Sequence, residues 1–218
     1  ENGNQLMGGE EGGNVTIMAL LFIGSLTLAL ILALESACAY AQKTALDNCL
    51  NIAREETFSP GFDMQIKSSD DPGGLIARKI TGSLRQNGYG GAIEIQFYEA
   101  TADEIEDSNP EIDSAENARV LVYQVIAKQA YANVVAPVEW FANAFLASSV
   151  TASLCPYSLH KTYRPDNVAG SVWSYEIAPG SSEAPEGEQD QSNQMWQALG
   201  STLQSALAKP TEIYNANK

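Results

Sequence analysis

The hydrophobic pattern of the chain begins with an unbroken run. Val15 to Leu34 (VTIMALLFIGSLTLALILAL) is 20 residues without a charge, and its apolar side chains fall on every side of a helical wheel. At 1.5 Å per residue such a helix spans about 30 Å, the thickness of a bilayer core. Core helices of globular proteins are usually shorter and one-sided, so the run predicts a membrane span or the apolar core of a filament. Gly24, Ser25 and Thr27 interrupt it. They mark either a close helix–helix contact face or the ordinary tolerance of small residues in apolar helices.

No helix breaker follows until Pro60. Residues 35–56 are rich in Ala, Leu and Glu, and Leu46, Cys49, Leu50 and Ala53 recur at helical spacing. The pattern therefore predicts one continuous helix from about residue 14 to residue 56, roughly 60 Å long. Its first half is apolar all round. Its second half is amphipathic and packs on the domain behind it. Glu35 closes the apolar run and reads as a boundary residue at the outer interface, because a charge kept inside a helix bundle is costly without a partner.

The remaining pattern is shorter in period. Residues 1–14 are polar and Gly-rich and predict a flexible arm. Phe58 to Gly74 reads as turns, through SPGF and SSDDPGG, and Leu75 to Arg85 as a short helix. Asn87-Gly88 and Gly90-Gly91 are turn signals before a strand in which Ile93, Ile95 and Phe97 alternate with Glu94, Gln96 and Tyr98. An acidic loop, Asp103 to Glu116, precedes a long strand pattern from Arg119 to Asn133, ended by Pro137. Val138 to Leu146 fits a short helix or a packed loop, and Ser149 to Tyr163 another strand. Pro179 to Gln191 reads as a mobile surface loop. Asn193 to Lys209, with Ser192 as N-cap, places Met195, Trp196, Leu199, Leu203 and Leu207 on one helical face. The expected fold class is α+β. A long N-terminal hydrophobic helix (15–56) follows the arm (1–14) and packs on a small antiparallel sheet domain (57–218) with a short C-terminal helix.

Charge narrows the partners. A net charge of −15 and a pI near 4.3 argue against nucleic acid and against anionic lipid surfaces, both of which need clustered Lys and Arg. Candidate chemistry is sparse. His160 is the single histidine; a Cys155–His160 nucleophile pair competes with a plain surface histidine, and one histidine excludes multi-His metal sites. Asp103, Glu104, Glu106, Asp107 and Asp113 offer oxygen ligands for calcium, but the EF-hand order and its glycine are missing, and a solvated loop is the better reading. No phosphate loop and no nucleophile-elbow motif occurs. The expectation is a chain without catalytic residues, cofactor or metal. Cys38, Cys49 and Cys155 lack metal or redox spacing. A Cys49–Cys155 bridge would pin the domain to the helix, with Cys38–Cys155 as the competitor; Cys38 and Cys49 are too far apart on one helix to bond to each other.

The N-terminal pattern also resembles a known family. Gly13, Asn14 and Val15, then Met18-Ala19-Leu20 entering one apolar helix, Glu35 near its end, and the Ala- and Leu-rich stretch Ala45 to Ala53 resemble the start of TadE/TadG-like pilins of the tight-adherence branch of type IV pili. Tyr163-Arg164-Pro165-Asp166 is similar to the later part of TadE-like domains. The early helix glutamate of type IV pilins has no counterpart among Thr16, Ile17 and Met18, and the TadG-like pattern, which often lacks it, fits better. The resemblance covers residues 13–56 and, loosely, 119–166. It implies a structural filament subunit whose helix contacts involve Val15, Met18, Leu21, Phe22, Leu28, Leu32 and Glu35. It also implies partners that are copies of the chain or other pilins, and a place in the inner membrane before assembly into an extracellular, adhesive filament at the cell surface. A single-span anchored ectodomain that binds a ligand or scaffolds the envelope is the alternative, and a tethered hydrolase a distant third. The acidic domain is expected outside, because long domains translocate largely regardless of charge, although residues 1–14 carry no Lys or Arg.

Overall fold

The computed structural model describes residues 10–100, 120–134, 145–154, 163, 165, 170–182, 212 and 215. The chain divides into two compact units, Glu1–Gln42 with Tyr131–Ala144, and Lys43–Ala130 with Phe145–Lys218. The fold is α+β, with one long apolar helix and a four-stranded antiparallel sheet. The expected C-terminal helix, the acidic loop and most of the 179–191 loop lie outside the described residues.

Helix α1 (Glu10–Thr57) runs without a break through the whole predicted span and four residues further at its start. Part of the expected flexible arm is thus helical. Gly12 and Gly13 cost about 1 kcal/mol each relative to Ala, but adding a turn to an existing helix is far easier than nucleating one.

In the second unit, α1 contributes one apolar stripe. Of the positions the helical spacing picks out, Leu46, Leu50 and Ala53 are buried and Cys49 is half-buried against the same core; Thr57, one residue past the expected helix end, is buried as well. The Thr57 and Tyr123 hydroxyls are hydrogen-bonded at 2.7 Å in the interior. The turn expected at 58–74 is instead mostly helix, α2 (Pro60–Ser68) and the start of α3 (Pro72–Gln86). In both, proline stands at the N-terminal start, where its missing N–H has no intrahelical partner to lose. SPGF and DDPGG are therefore helix starts as much as turns. Phe62 and Ile66, four residues apart, bury the inner face of α2. Asp71 caps α3 by accepting from Gly74 N–H at 3.0 Å. A side chain at Gly73 would meet the Tyr163 carbonyl at 2.5 Å, so only glycine lets α3 come this close.

Asn87-Gly88 ends α3. Gly88 has φ +84°, Tyr89 N–H reaches Leu84 O at 2.9 Å and Gly88 N–H reaches Arg85 O at 3.0 Å, the Schellman pattern. The Arg85 guanidinium then gathers four carbonyls: Ser181 (2.7 Å), Tyr89 and Gly91 (2.8 Å each) and Ala178 (3.0 Å). One cation thereby ties the helix end to the entry of β1 and the exit of β4.

The sheet consists of β1 (Ala92–Glu99), β2 (Leu121–Ala130), β3 (Phe145–Leu154) and β4 (Val172–Ile177) in the order β3-β2-β1-β4, all neighbours antiparallel. The first two strands match the expected segments. β3 starts earlier than predicted, taking in Phe145 and Leu146 that were assigned to a helix or loop. β4 was not anticipated, although Trp173, Tyr175 and Ile177 alternate with Val172, Ser174 and Glu176 as a half-buried strand should. Phe97 stacks on Trp173 (centroids 5.2 Å apart) and meets Tyr175 edge-on at 5.6 Å, filling the side of the sheet that joins the core with Leu50, Ile76, Ile80 and Leu84.

The other side of β1 departs from the alternating in–out pattern. Glu94 and Gln96 are buried, not solvated, and Gln96 donates to Glu94 at 2.7 Å. By register, Thr151, Gln124, Gln96 and Ser174 form one polar row across all four strands. Alternation reports side-chain chemistry, whereas burial of a sheet face depends on what packs over it.

Candidate assembly helix

The first unit holds the apolar run, and here the residues around each side chain matter most. Residues 14–34 are exposed along the whole stretch, apart from a half-buried Ile31. The helix is long and apolar enough to cross a membrane, and its most apolar window is entirely uncovered. Of the residues expected in helix contacts, Val15, Met18, Leu21, Phe22, Leu28 and Leu32 all stand exposed, from 37 % at Leu32 to 68 % at Val15 and Leu21. At 100° per residue they share one broad side of the helix, about 140° wide, and none of them is buried among the described residues.

The polar interruptions are internally satisfied. Ser25 donates to Phe22 O (2.9 Å), Thr27 to Ile23 O (2.8 Å) and Ser36 to Leu32 O (2.7 Å). Each hydroxyl bonds back one turn, so the surface offered outward is apolar even where the sequence is not. A Cβ at Gly24 would meet no atom within 4 Å, so nothing among the described residues requires a glycine there.

Glu35 overturns its sequence expectation. It is 2 % exposed, not a wet boundary residue. The Tyr131 hydroxyl is hydrogen-bonded to its carboxylate and lies 3.1 Å from its backbone carbonyl. The hydrogen bond to Glu35, and then burial, push the Tyr131 hydroxyl up to about 12. Two turns further along the same helix face, the Gln42 side chain imitates a backbone peptide. Its Nε2 donates to Ala132 O at 2.8 Å and its Oε1 accepts from Ala132 N–H at 3.2 Å. Together the two contacts strap the segment that follows β2 onto α1, just where the apolar run ends. The carboxylate is shielded and partnered, which is how an ionisable group beside an apolar phase is tolerated. Sequence reasoning missed the strap because Tyr131 is 96 residues from Glu35, and a Tyr at a strand end carries no signal of its own.

Two of the three cysteines lie among the described residues. Cys38 and Cys49 carry free thiols, and Cys49 Sγ lies 3.6 Å from Asn87 O. Cys155, the expected partner of Cys49, lies outside the described residues, as do His160 and the acidic stretch 103–116 weighed for calcium. Comparison with family models, with curated proteins and with solved structures finds no match.

Proposed function

We propose that the chain is a structural, pilin-like subunit of a tight-adherence filament, assembled by packing of the N-terminal helices and serving adhesion. The observation that supports it is the apolar run of α1, uncovered on every side with its hydroxyls turned inward. Such a surface needs an apolar surround. Lipid provides it before assembly, and neighbouring copies of the same helix provide it in a filament. Glu35, sheltered under Tyr131, leaves the end of the run without an exposed charge. The sequence resemblance to TadE/TadG-like pilins selects the filament among apolar surrounds.

The test is electron microscopy of sheared surface material, with the chain located by antibody, beside membrane fractionation. Filaments carrying the chain are expected, and Leu28→Arg, which adds about 3 kcal/mol to burying the helix in an apolar phase, should abolish them. A chain found as a monomer in the membrane fraction alone would replace the filament with the anchored-ectodomain reading, which the match between the run and one bilayer thickness also favours.

A further inference from the structure

The apolar run ends at Leu34, and a second piece of chain is fastened there. A run that fills the hydrocarbon core of a bilayer leaves the residues after it in the headgroup layer, about 5–8 Å deep on each side. At 1.5 Å per residue that layer takes in α1 from Glu35 to about Tyr40. Tyr131 reaches this level. Its hydroxyl is hydrogen-bonded to the Glu35 carboxylate and lies 3.1 Å from the Glu35 carbonyl. The next residue, Ala132, is held by two hydrogen bonds to Gln42, two turns further out. The Tyr131 side chain thus runs along the helix toward the apolar run, with its hydroxyl at the boundary.

The segment that Tyr131 opens belongs with the run. β2 and β3 pair as far as Ala130 opposite Phe145, so residues 131–144 leave one end of the sheet and return to it. Tyr131–Ala144 forms one compact unit with Glu1–Gln42, and not with the sheet. Its sequence, YANVVAPVEWFANA, has Glu139 as its only charge, in a chain that carries −15. Tyr and Trp settle at membrane–water interfaces, where the ring meets acyl chains and the polar tip meets water, and this segment holds one of each. The described side chains extend the apolar surface past Leu34: Tyr40 is 75 % exposed and Val134 62 %. Neither 35–42 nor 131–144 contains Lys or Arg, so the chemistry fits neutral headgroups and upper acyl chains and not lipid charge.

We propose that the connection between β2 and β3 is a second membrane contact: fastened to Glu35 and Gln42, its start at Tyr131–Val134 lies in the headgroup layer of a zwitterionic bilayer and fixes the depth of α1. The inference rests on the membrane stage of the filament reading and adds a contact to it. Photolabelling of the full, unmodified chain in phosphatidylcholine vesicles tests it, with two lipid probes read by peptide mass spectrometry. A phosphatidylcholine with a diazirine on its headgroup should label 36–42 and 131–134. One with the diazirine at the end of an acyl chain should label 14–34. Neither should label 46–57, which begins about 18 Å beyond Leu34 along the same helix. Gln42→Ala with Tyr131→Phe removes the fastening and should lower headgroup labelling of 131–134 about five-fold, with 14–34 unchanged. If 131–134 is labelled no more than 46–57 while the run is labelled, this inference falls alone. If the double variant keeps full labelling of 131–134, Glu35 and Gln42 do not seat the segment, and the proposal is overturned in that part. If neither probe labels the run, the membrane stage of the filament reading falls and takes this inference with it. Headgroup labelling of 131–134 from a chain that forms no filaments would sink the filament reading alone.

Discussion

The two halves of α1 are the same secondary structure under opposite demands. Residues 14–34 are apolar on all sides and exposed on nearly all of them. Residues 46–57 bury one stripe, Leu46, Leu50, Ala53 and Thr57, with Cys49 half-buried beside it, and leave the opposite face to water. The second half is stabilised within its own unit by contacts that already exist. Among the described residues the first half gains nothing comparable, and on the reading proposed above lipid or other copies of the helix supply its stabilising contacts. A single helix can therefore divide its duties along its length: one end makes a domain core, the other creates a need for a surround.

That contrast can be broken most sharply with matched truncations. Leu50→Ala removes a side chain that is 1 % exposed and should lower unfolding stability by about 2–5 kcal/mol, measured by denaturant titration in detergent with tryptophan fluorescence. Leu28→Ala, at 44 % exposure, should change the same titration by less than about 0.5 kcal/mol. Equal losses at both positions would mean that the apolar half is buried within its own chain after all.

Between the halves stands the strap. Gln42→Ala removes both hydrogen bonds to Ala132 and should loosen residues 131–134 by about 1 kcal/mol, seen as roughly five-fold faster exchange of the Ala132 amide. Unchanged exchange would show that the Gln42 amide holds nothing.

The smallest effect lies at the end of the helix. The Lys79 ammonium, 2.7 Å from Glu56, holds the Glu56 carboxyl below its usual value. A depressed carboxylate contributes stability that is present above its unfolded pKa of about 4.3 and is lost as pH falls through the folded value. Both side chains are more than one-third exposed, so the contribution stays below about 1 kcal/mol. Lys79→Met should flatten that part of the acid limb of the stability–pH curve and leave stability near pH 7 within the same margin.

Much of this was legible from residue order. The helix was, because 20 uncharged apolar residues with no breaker before Pro60 leave a local chain few alternatives. So were its buried stripe at Leu46, Leu50 and Ala53, and the strands at Ile93–Phe97 and Leu121–Ala130, since each depends on a local period. Other local signals were present but misread: Ser59-Pro60 and Asp71-Pro72 start helices, and the alternation from Val172 to Ile177 makes a strand.

By itself, then, the sequence determined that one end of the chain is a helix apolar on all sides and long enough to cross a membrane, and that the other forms a small α+β core, because both follow from spacing along short stretches. Tertiary structure alone decided that Glu35 is sheltered by Tyr131, that Arg85 gathers four carbonyls, that Glu94 and Gln96 are buried, and that β3 is left at the edge. Each of these joins or separates residues far apart in the chain. A side chain's partner across that distance is fixed by where the backbone goes, and no local pattern carries that information.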